Sequence, residues 1–102
     1  MIVEEFSKLL MQYHRESRKA SFYADKLCIS TQYLSRILRE CTGRSVNSWI
    51  TEFVIAEAKY LLKSSDMSIL QISEKLNFPN PSFFTRYFKQ YAGITPMKFR
   101  GN

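Results

Sequence analysis

The sequence contains one short pattern twice, and this internal repeat limits the possible folds more than any other feature. SRILRECTGRS, residues 35–45, returns fifty residues later as TRYFKQYAGIT, residues 85–95. Two positions are identical and five more agree in chemistry, so seven of the eleven positions match. The identical pairs are Arg36 with Arg86 and Gly43 with Gly93. A repeat of this kind indicates two similar structural units in one chain.

The first copy has the spacing of an amphipathic helix with a basic outer face. Its apolar residues recur at i, i+3, i+4 and i+7, and its polar residues occupy the opposite side. The apolar set is Leu34, Ile37, Leu38 and Cys41, and the polar set is Gln32, Ser35, Arg36 and Arg39. Ser30 is a natural N-cap for this helix, and Gly43 fits a left-handed C-terminal cap. A short helix through Leu27 and a turn at 28–30 precede it, which is typical of a helix-turn-helix.

The second copy repeats this arrangement with aromatic residues on its apolar side. Asn80 followed by Pro81 predicts a helix start, and Gly93 predicts its end. The stripe predicted to be buried consists of Phe84, Tyr87, Phe88 and Tyr91, with Phe83 flanking it, and the exposed stripe of Ser82, Thr85, Arg86 and Lys89. We therefore predict two recognition helices, at about 31–42 and 81–92.

The remaining segments also have helical periods. Residues 2–13 form an amphipathic pattern, 14–19 read as a basic loop with His14 facing solvent, and Ser21 is a possible cap for the next helix. The segment 46–63 is apolar almost all round, which predicts a central, largely buried helix of roughly 27 Å. Two short helices complete the chain, one after a capping box at Ser68 and one after Thr95-Pro96. In total, the sequence predicts seven helices and no strand.

Charge and composition favour a polyanionic partner and give no sign of catalysis. The net charge is +6, the pI is near 9.5, and no acidic residue follows Glu74, which suits a phosphate backbone. We find no glycine-rich phosphate loop, no metal-ligand spacing and no cofactor motif, so an enzyme is not expected. Cys28 and Cys41 are read as reduced residues of a cytosolic protein, with Cys41 buried and Cys28 partly buried. No membrane span or signal peptide is indicated.

Arginine and glutamine side chains on an exposed helix face can recognise bases in the major groove of DNA. Arg can contact guanine O6 and N7, and Gln can contact adenine N6 and N7, each through two hydrogen bonds. The simpler alternative is that these polar residues only solvate two surface helices. Two copies of one face around one Arg favour DNA reading. A helical adaptor whose basic face meets an acidic protein remains the alternative. Single-stranded nucleic acid would require exposed aromatic residues, and the aromatic residues here are expected to be buried.

The residues also resemble those of the AraC/XylS family of transcription regulators over nearly the whole chain. The resemblance lies in Ala24, Leu27, Ile29-Ser30, Tyr33-Leu34-Ser35-Arg36, Gly43-Arg44-Ser45, Ala58-Lys59-Tyr60-Leu61-Leu62, Ser68-Ile69, Ile72, Leu76, Phe78, Ser82, Phe84, Arg86-Tyr87-Phe88-Lys89, Gly93-Ile94-Thr95-Pro96 and Phe99-Arg100. It implies a seven-helix domain with two homeodomain-like, three-helical helix-turn-helix units joined by a long helix. The implied divisions are 1–45, a linker helix at 46–63, and 64–102.

The resemblance further implies roles for individual residues. The base-reading positions are Gln32, Ser35, Arg36, Pro81, Ser82, Thr85 and Arg86, and the positions near the DNA backbone are Ser30, Thr31, Arg39, Asn80 and Lys89. Val54 departs from the family, which often has arginine there, and Asn77 replaces a usual turn glycine. The resemblance also implies a cytoplasmic protein and a C-terminal place in a longer regulator. An effector-binding or dimerisation domain would lie outside this chain, and RNA polymerase would be a partner of an activator.

Overall fold

The chain folds into helices joined by short turns. A computed structural model describes residues 1–101, and over this range it contains seven α-helices and no strand. The helices are α1 Ile2–Tyr13, α2 Ala20–Lys26, α3 Thr31–Thr42, α4 Val46–Ser64, α5 Ile69–Lys75, α6 Pro81–Ala92 and α7 Pro96–Gly101. The predicted all-α, seven-helix fold is therefore confirmed.

Contacts divide the chain into two compact units, and the border falls inside α4. The first unit is Met1–Phe53, and the second begins at Val54. In the first unit α3 packs against α1 and α2, and in the second unit α6 packs against α5 and α7. The three-part division at 1–45, 46–63 and 64–102 stays a prediction.

Side-chain caps fix where α3, α6 and α5 begin. Ser30 Oγ accepts from the Tyr33 N–H at 3.0 Å, and Asn80 Oδ1 accepts from the Phe83 N–H at 2.8 Å. Ser68 and Gln71 form the predicted capping box before α5. These starts are confirmed, because each cap gives an acceptor to an N–H that has no partner within the helix. The cap predicted at Ser21 is wrong, since α2 already begins at Ala20 with Lys19 before it.

A left-handed residue ends the first helix of each helix-turn-helix. Cys28 has φ +59° after α2, and Asn77 has φ +61° after α5, as predicted for Asn77. The next N–H then turns back to the helix: Ile29 donates to Ala24 O at 3.1 Å, and Phe78 donates to Ser73 O at 2.8 Å. The second turn contains one additional residue, Pro79, before its cap. The two turns therefore begin with the same backbone conformation, although the second turn is one residue longer.

The core of the first unit includes a residue expected at the surface. His14 is buried, its Nδ1 donates to Leu10 O at 2.7 Å, and its ring lies 6.0 Å from that of Phe53 in an edge-on arrangement. The prediction of a solvent-facing His14 is therefore wrong. Tyr23 is also fully buried and donates to Ser17 O at 2.8 Å. Its burial, and secondly the Glu16 carboxylate, raise the pKa of Tyr23 to about 12.

The central helix is less buried than its composition suggests. Val54, Ala58 and Leu62 have no more than 1% of their surface exposed, whereas Tyr60 is 65% exposed and Ala56 also faces outward. Apolar composition predicted burial on nearly all sides, and this is wrong for one side of α4. The confirmed part is the position of the helix, which runs one residue beyond the predicted end.

Candidate nucleic-acid interface

The two predicted recognition helices have the same pattern of burial, residue by residue. Residues 31–46 and 81–96 match at every position when classed as buried, half-buried or exposed. Leu34 and Leu38 anchor α3, and Phe84 and Phe88 anchor α6, all with no exposed surface. The internal repeat of the sequence is therefore also a repeat of orientation, because the same positions of each helix face the core.

The apolar stripes are shorter than predicted at their C-terminal ends. Cys41 is exposed, and its counterpart Tyr91 is 50% exposed. Both had been assigned to the buried side by their helical spacing, and both assignments are wrong. Cys28 is likewise exposed rather than partly buried. The third turn of each helix extends beyond the part of the core that the first two turns cover.

The outer face of α3 presents the polar residues that the sequence singles out. Gln32, Arg36 and Arg39 are exposed, while Thr31 and Ser35 are half-buried. Ser30 is exposed at the start of the helix, although its hydroxyl oxygen is already engaged as the N-cap. Residues 32, 35, 36 and 39 thus form one polar face on a helix that Leu34 and Leu38 hold in place.

The outer face of α6 is built in the same way and contains a shallow concavity. Ser82, Arg86 and Lys89 are exposed, and Pro81 and Thr85 are half-buried. The concavity has a volume of about 550 Å³ and is lined by Asn80, Pro81, Ser82, Thr85 and Arg86. These five residues were assigned to DNA contact from the sequence, and the fold brings them together on one surface.

Each of the two matching arginines lies beside an exposed aromatic ring. The Arg36 Cζ atom is 5.2 Å from the centre of the Tyr33 ring, and the Arg86 Cζ atom is 5.9 Å from that of Phe83. Tyr33 is 37% exposed and Phe83 is 40% exposed, so the expectation that the aromatic residues are buried is wrong for these two rings. A guanidinium over a ring face is attracted by the quadrupole of the ring. The aromatic–X–X–Arg spacing in both repeats was the sequence signal for this pair, and it was missed.

The electrostatic character of these faces is positive, with one exception. Arg36, Arg39, Arg86 and Lys89 supply cations, and the helix N-termini add partial positive charge near Ser30 and Asn80. The exception is Glu40, whose Oε1 lies 4.0 Å from Arg36 Nε. Its counterpart in α6 is the neutral Gln90.

Other kinds of site find no support in the part of the chain that is described. Among residues 1–101, no group of three or more His, Cys, Asp or Glu side chains is arranged to hold a metal ion. Within the same residues, no helix is both long and apolar enough to cross a membrane.

Two helix-turn-helix units, each with an exposed basic face on its second helix, define a DNA-binding domain of the double helix-turn-helix class. A family model described as a helix-turn-helix domain matches residues 23–102. The chain belongs to this AraC-type family, whose members are transcription regulators and not enzymes.

Individual relatives agree with this assignment. The chain is 32% identical over 98 residues to the Msm operon regulatory protein of Streptococcus mutans, covering 96% of this chain and 35% of that protein. It is 35% identical over 77 residues to the arabinose operon regulatory protein of Escherichia coli K12, covering 76% and 26%. The chain thus spans about a third of the length of these relatives.

A solved structure supports the fold. The C-terminal domain of the two-component response regulator yesN from Fusobacterium nucleatum matches with a TM-score of 0.88 and 26% identity. The match covers 95% of each chain. This match supports the seven-helix fold of the chain.

Proposed function

We propose that this chain binds double-stranded DNA in a sequence-specific manner and that α3 and α6 are its two recognition helices. The observation that carries the proposal is the duplicated outer face, in which Arg36 and Arg86 lie exposed at matching positions of equally buried helices. A single basic helix face is common on protein surfaces. Two basic faces with the same burial pattern, in a family of DNA-binding regulators, are best explained if both helices bind DNA.

Base reading is assigned to the residues at the centre of each face. Arg36 and Arg86 would each contact a guanine through O6 and N7, and Gln32 would contact an adenine through N6 and N7. The hydroxyls of Ser35, Ser82 and Thr85 can bond to several base edges, and the Thr85 methyl can also contact thymine. Pro81 has no N–H and offers only an apolar contact. Because Gln32 and Ser82 differ, the two helices would read different half-sites.

Backbone contacts are assigned to the rim of each face. Arg39 and Lys89 lie one turn beyond the base-reading residues and would neutralise phosphates, which supplies most of the affinity. Ser30, Thr31 and Asn80 lie at the helix N-termini, where free N–H groups and the helix dipole favour a phosphate. Such contacts set the position of the protein on the duplex without reading sequence.

Two recognition helices in one chain suggest that the chain binds two adjacent segments of the major groove. Successive major grooves on one face of DNA are about 34 Å apart. The helix α4 is continuous over 19 residues, a length of about 28 Å. We propose that one chain reads an asymmetric, directional site and does not need a palindrome.

The partners of the whole regulator follow from the length of its relatives. Since this chain spans about a third of the length of the Msm and arabinose regulators, we propose that it serves as the DNA-binding part of a longer cytoplasmic regulator. An effector-binding or dimerisation domain would then lie outside this chain. RNA polymerase would be a further partner if the regulator activates transcription.

Replacing the two arginines tests the assignment of the recognition helices. We expect Arg36→Ala and Arg86→Ala each to weaken binding to a selected duplex by about 1–3 kcal/mol, because each removes one two-bond guanine contact. Each variant should also relax base preference at one position, and the two positions should differ. Selection from a random duplex pool followed by titration at several salt concentrations measures both effects.

A charge-matched variant separates base reading from general attraction. Lys8→Ala removes one positive charge from the exposed side of α1, and it should change affinity only slightly and leave base preference intact. If both arginine variants bound the selected duplex as tightly as the unaltered chain, the assignment of α3 and α6 would be wrong. If the unaltered chain bound no duplex at low salt, a basic adaptor for an acidic protein would be the better function.

A further inference from the structure

Arg36 is flanked along α3 by two side chains that leave its outer end open. The Tyr33 ring lies one turn before it, 5.2 Å from Cζ, and the Glu40 carboxylate lies one turn after it, 4.0 Å from Nε. The Arg36 and Glu40 side chains are each 64% exposed. Burial therefore does not fix the guanidinium, and Tyr33 and Glu40 are the two side chains that lie beside it.

The length of the contact between Arg36 and Glu40 decides which guanidinium donors remain available to a base. The carboxylate approaches Nε, on the inner edge of the guanidinium. At 4.0 Å this contact is an ion pair and not a hydrogen bond, so it uses none of the guanidinium N–H groups that could bond to guanine O6 and N7. Glu40 can therefore hold Arg36 without occupying the donors that would read a base.

The second recognition helix, α6, has no carboxylate at the position that matches Glu40. Arg86 lies beside the Phe83 ring at 5.9 Å, and one turn further on is Gln90. Phe83, Arg86, Tyr87 and Gln90 line an open concavity of about 250 Å³. Arg86 thus has an aromatic neighbour and a neutral one, and α6 has no carboxylate at the position of Glu40.

We infer that Glu40 is a positioning residue that directs Arg36 towards a guanine and away from phosphate, and so makes α3 the more selective of the two recognition helices. This role rests on the function proposed above. In a complex with the preferred base, Arg36 uses its terminal nitrogens and keeps its contact with Glu40. On unrelated DNA, Arg36 would have to leave Glu40 to reach a phosphate. The carboxylate therefore favours the preferred site over other sequences.

The variant Glu40→Gln tests this role because it keeps the size of the side chain and removes its charge. The measurement is the ratio of affinities for a selected duplex and a scrambled duplex of equal length at fixed salt. An exposed ion pair accounts for an effect of about twofold to fivefold, so we expect this ratio to fall by about that factor. The reciprocal variant Gln90→Glu should raise the ratio by a similar factor.

Two controls distinguish positioning from a simple change of charge. Glu4→Gln makes the same charge change on the exposed side of α1 and should leave the ratio unchanged. In an Arg36→Ala background, Glu40→Gln should also leave the ratio unchanged, because no guanidinium remains to be held. Such a double-mutant cycle isolates the coupling between the two side chains.

Two results would overturn the inference, and a third would overturn more than the inference. An equal ratio for Glu40→Gln and the unaltered chain would show that Glu40 does not position Arg36. A full effect of Glu40→Gln in the Arg36→Ala background would show that it acts by charge alone. If the unaltered chain itself failed to distinguish the selected from the scrambled duplex, the proposed function would be wrong, and the role of Glu40 with it.

Discussion

The corners that follow α3 and α6 have the same backbone but are held by different chemistry. Gly43 and Gly93 end the two helices in the left-handed conformation, at φ +75° and +89°. A hydroxyl then begins the next helix in both, as Ser45 Oγ accepts from the Ser48 N–H at 3.1 Å and Thr95 Oγ1 accepts from the Lys98 N–H at 3.2 Å. Beyond these shared steps the side chains diverge.

The corner in the first unit is a polar network around one threonine. Thr42 Oγ1 donates to Leu38 O at 2.6 Å and accepts from the Arg44 N–H at 3.2 Å and from Trp49 Nε1 at 3.1 Å. The Arg44 guanidinium lies 4.2 Å from the Trp49 ring and also bonds to Ser48 and Glu52. One hydroxyl thus connects the end of α3 to the backbone of the turn and to the Trp49 side chain in α4.

The corner in the second unit is apolar and aromatic at the matching positions. Ala92, Ile94 and Phe99 replace Thr42, Arg44 and Trp49. The Phe99 ring packs edge-on against Phe88 at 5.7 Å, and the ammonium groups of Lys59 and Lys63 lie 5.5 and 5.1 Å from its centre.

The difference between the corners shows which features the repeat requires. Helix ends need a left-handed residue and an N-cap because backbone groups there lack partners within the helix. The volume behind the turn can be filled by a hydrogen-bonded network or by an apolar cluster. In the network each polar group has a hydrogen-bond partner, and the apolar cluster contains no polar side-chain group that needs one. Backbone geometry is therefore repeated where side-chain identity is not.

The largest difference between the corners should come from removing the Thr42 hydroxyl. We expect Thr42→Val to lower the free energy of unfolding by about 2 kcal/mol, because it leaves the Arg44 N–H and Trp49 Nε1 donors without their acceptor. Thr42→Ser keeps the hydroxyl and should recover most of the loss. Denaturant unfolding monitored by Trp49 fluorescence measures both. Equal stability of the valine and serine variants would show that the network contributes little.

Alanine at either glycine should cost about the same in both corners. No atom lies within 4 Å of a Cβ built on Gly43 or Gly93, so only the left-handed conformation opposes the change. We expect Gly43→Ala and Gly93→Ala each to destabilise by roughly 1–2 kcal/mol. Thermal unfolding of the two variants side by side checks this. A large difference between them would mean that the corners do not share one backbone requirement.

A smaller and opposite effect is expected in the turn that precedes α3. Cys28 adopts φ +59°, a conformation that Asn77 adopts at the matching place before α6, and asparagine tolerates it better than most residues. Cys28→Asn should therefore stabilise the chain by about 0.5–1 kcal/mol. Asn77→Cys is the reciprocal control and should destabilise by a similar amount. Chemical denaturation measures both, and a loss of stability in Cys28→Asn would contradict the proposed strain.

Local signals were correct at most helix ends, although the cap predicted at Ser21 was wrong. Ser30, Ser68 and Asn80 were predicted as caps, and Gly43 and Gly93 as helix ends, because each depends on backbone groups a few residues away. The polar faces of α3 and α6 were also predicted, since helical spacing places residues on a face without reference to the rest of the molecule. The fold class followed from these signals, whereas the family and the roles of the individual site residues came from the resemblance to the AraC/XylS regulators.

Tertiary structure decided how far each face is covered. Cys41 and Tyr91 continue their apolar stripes in sequence, yet they are exposed because the core ends before the third turn. His14 looked like a loop residue, yet the Leu10 carbonyl and the Phe53 ring enclose it. The Arg36–Glu40 contact likewise depends on side-chain conformation. Helical period gives the direction in which a side chain points, and only the packed neighbours decide what it meets there.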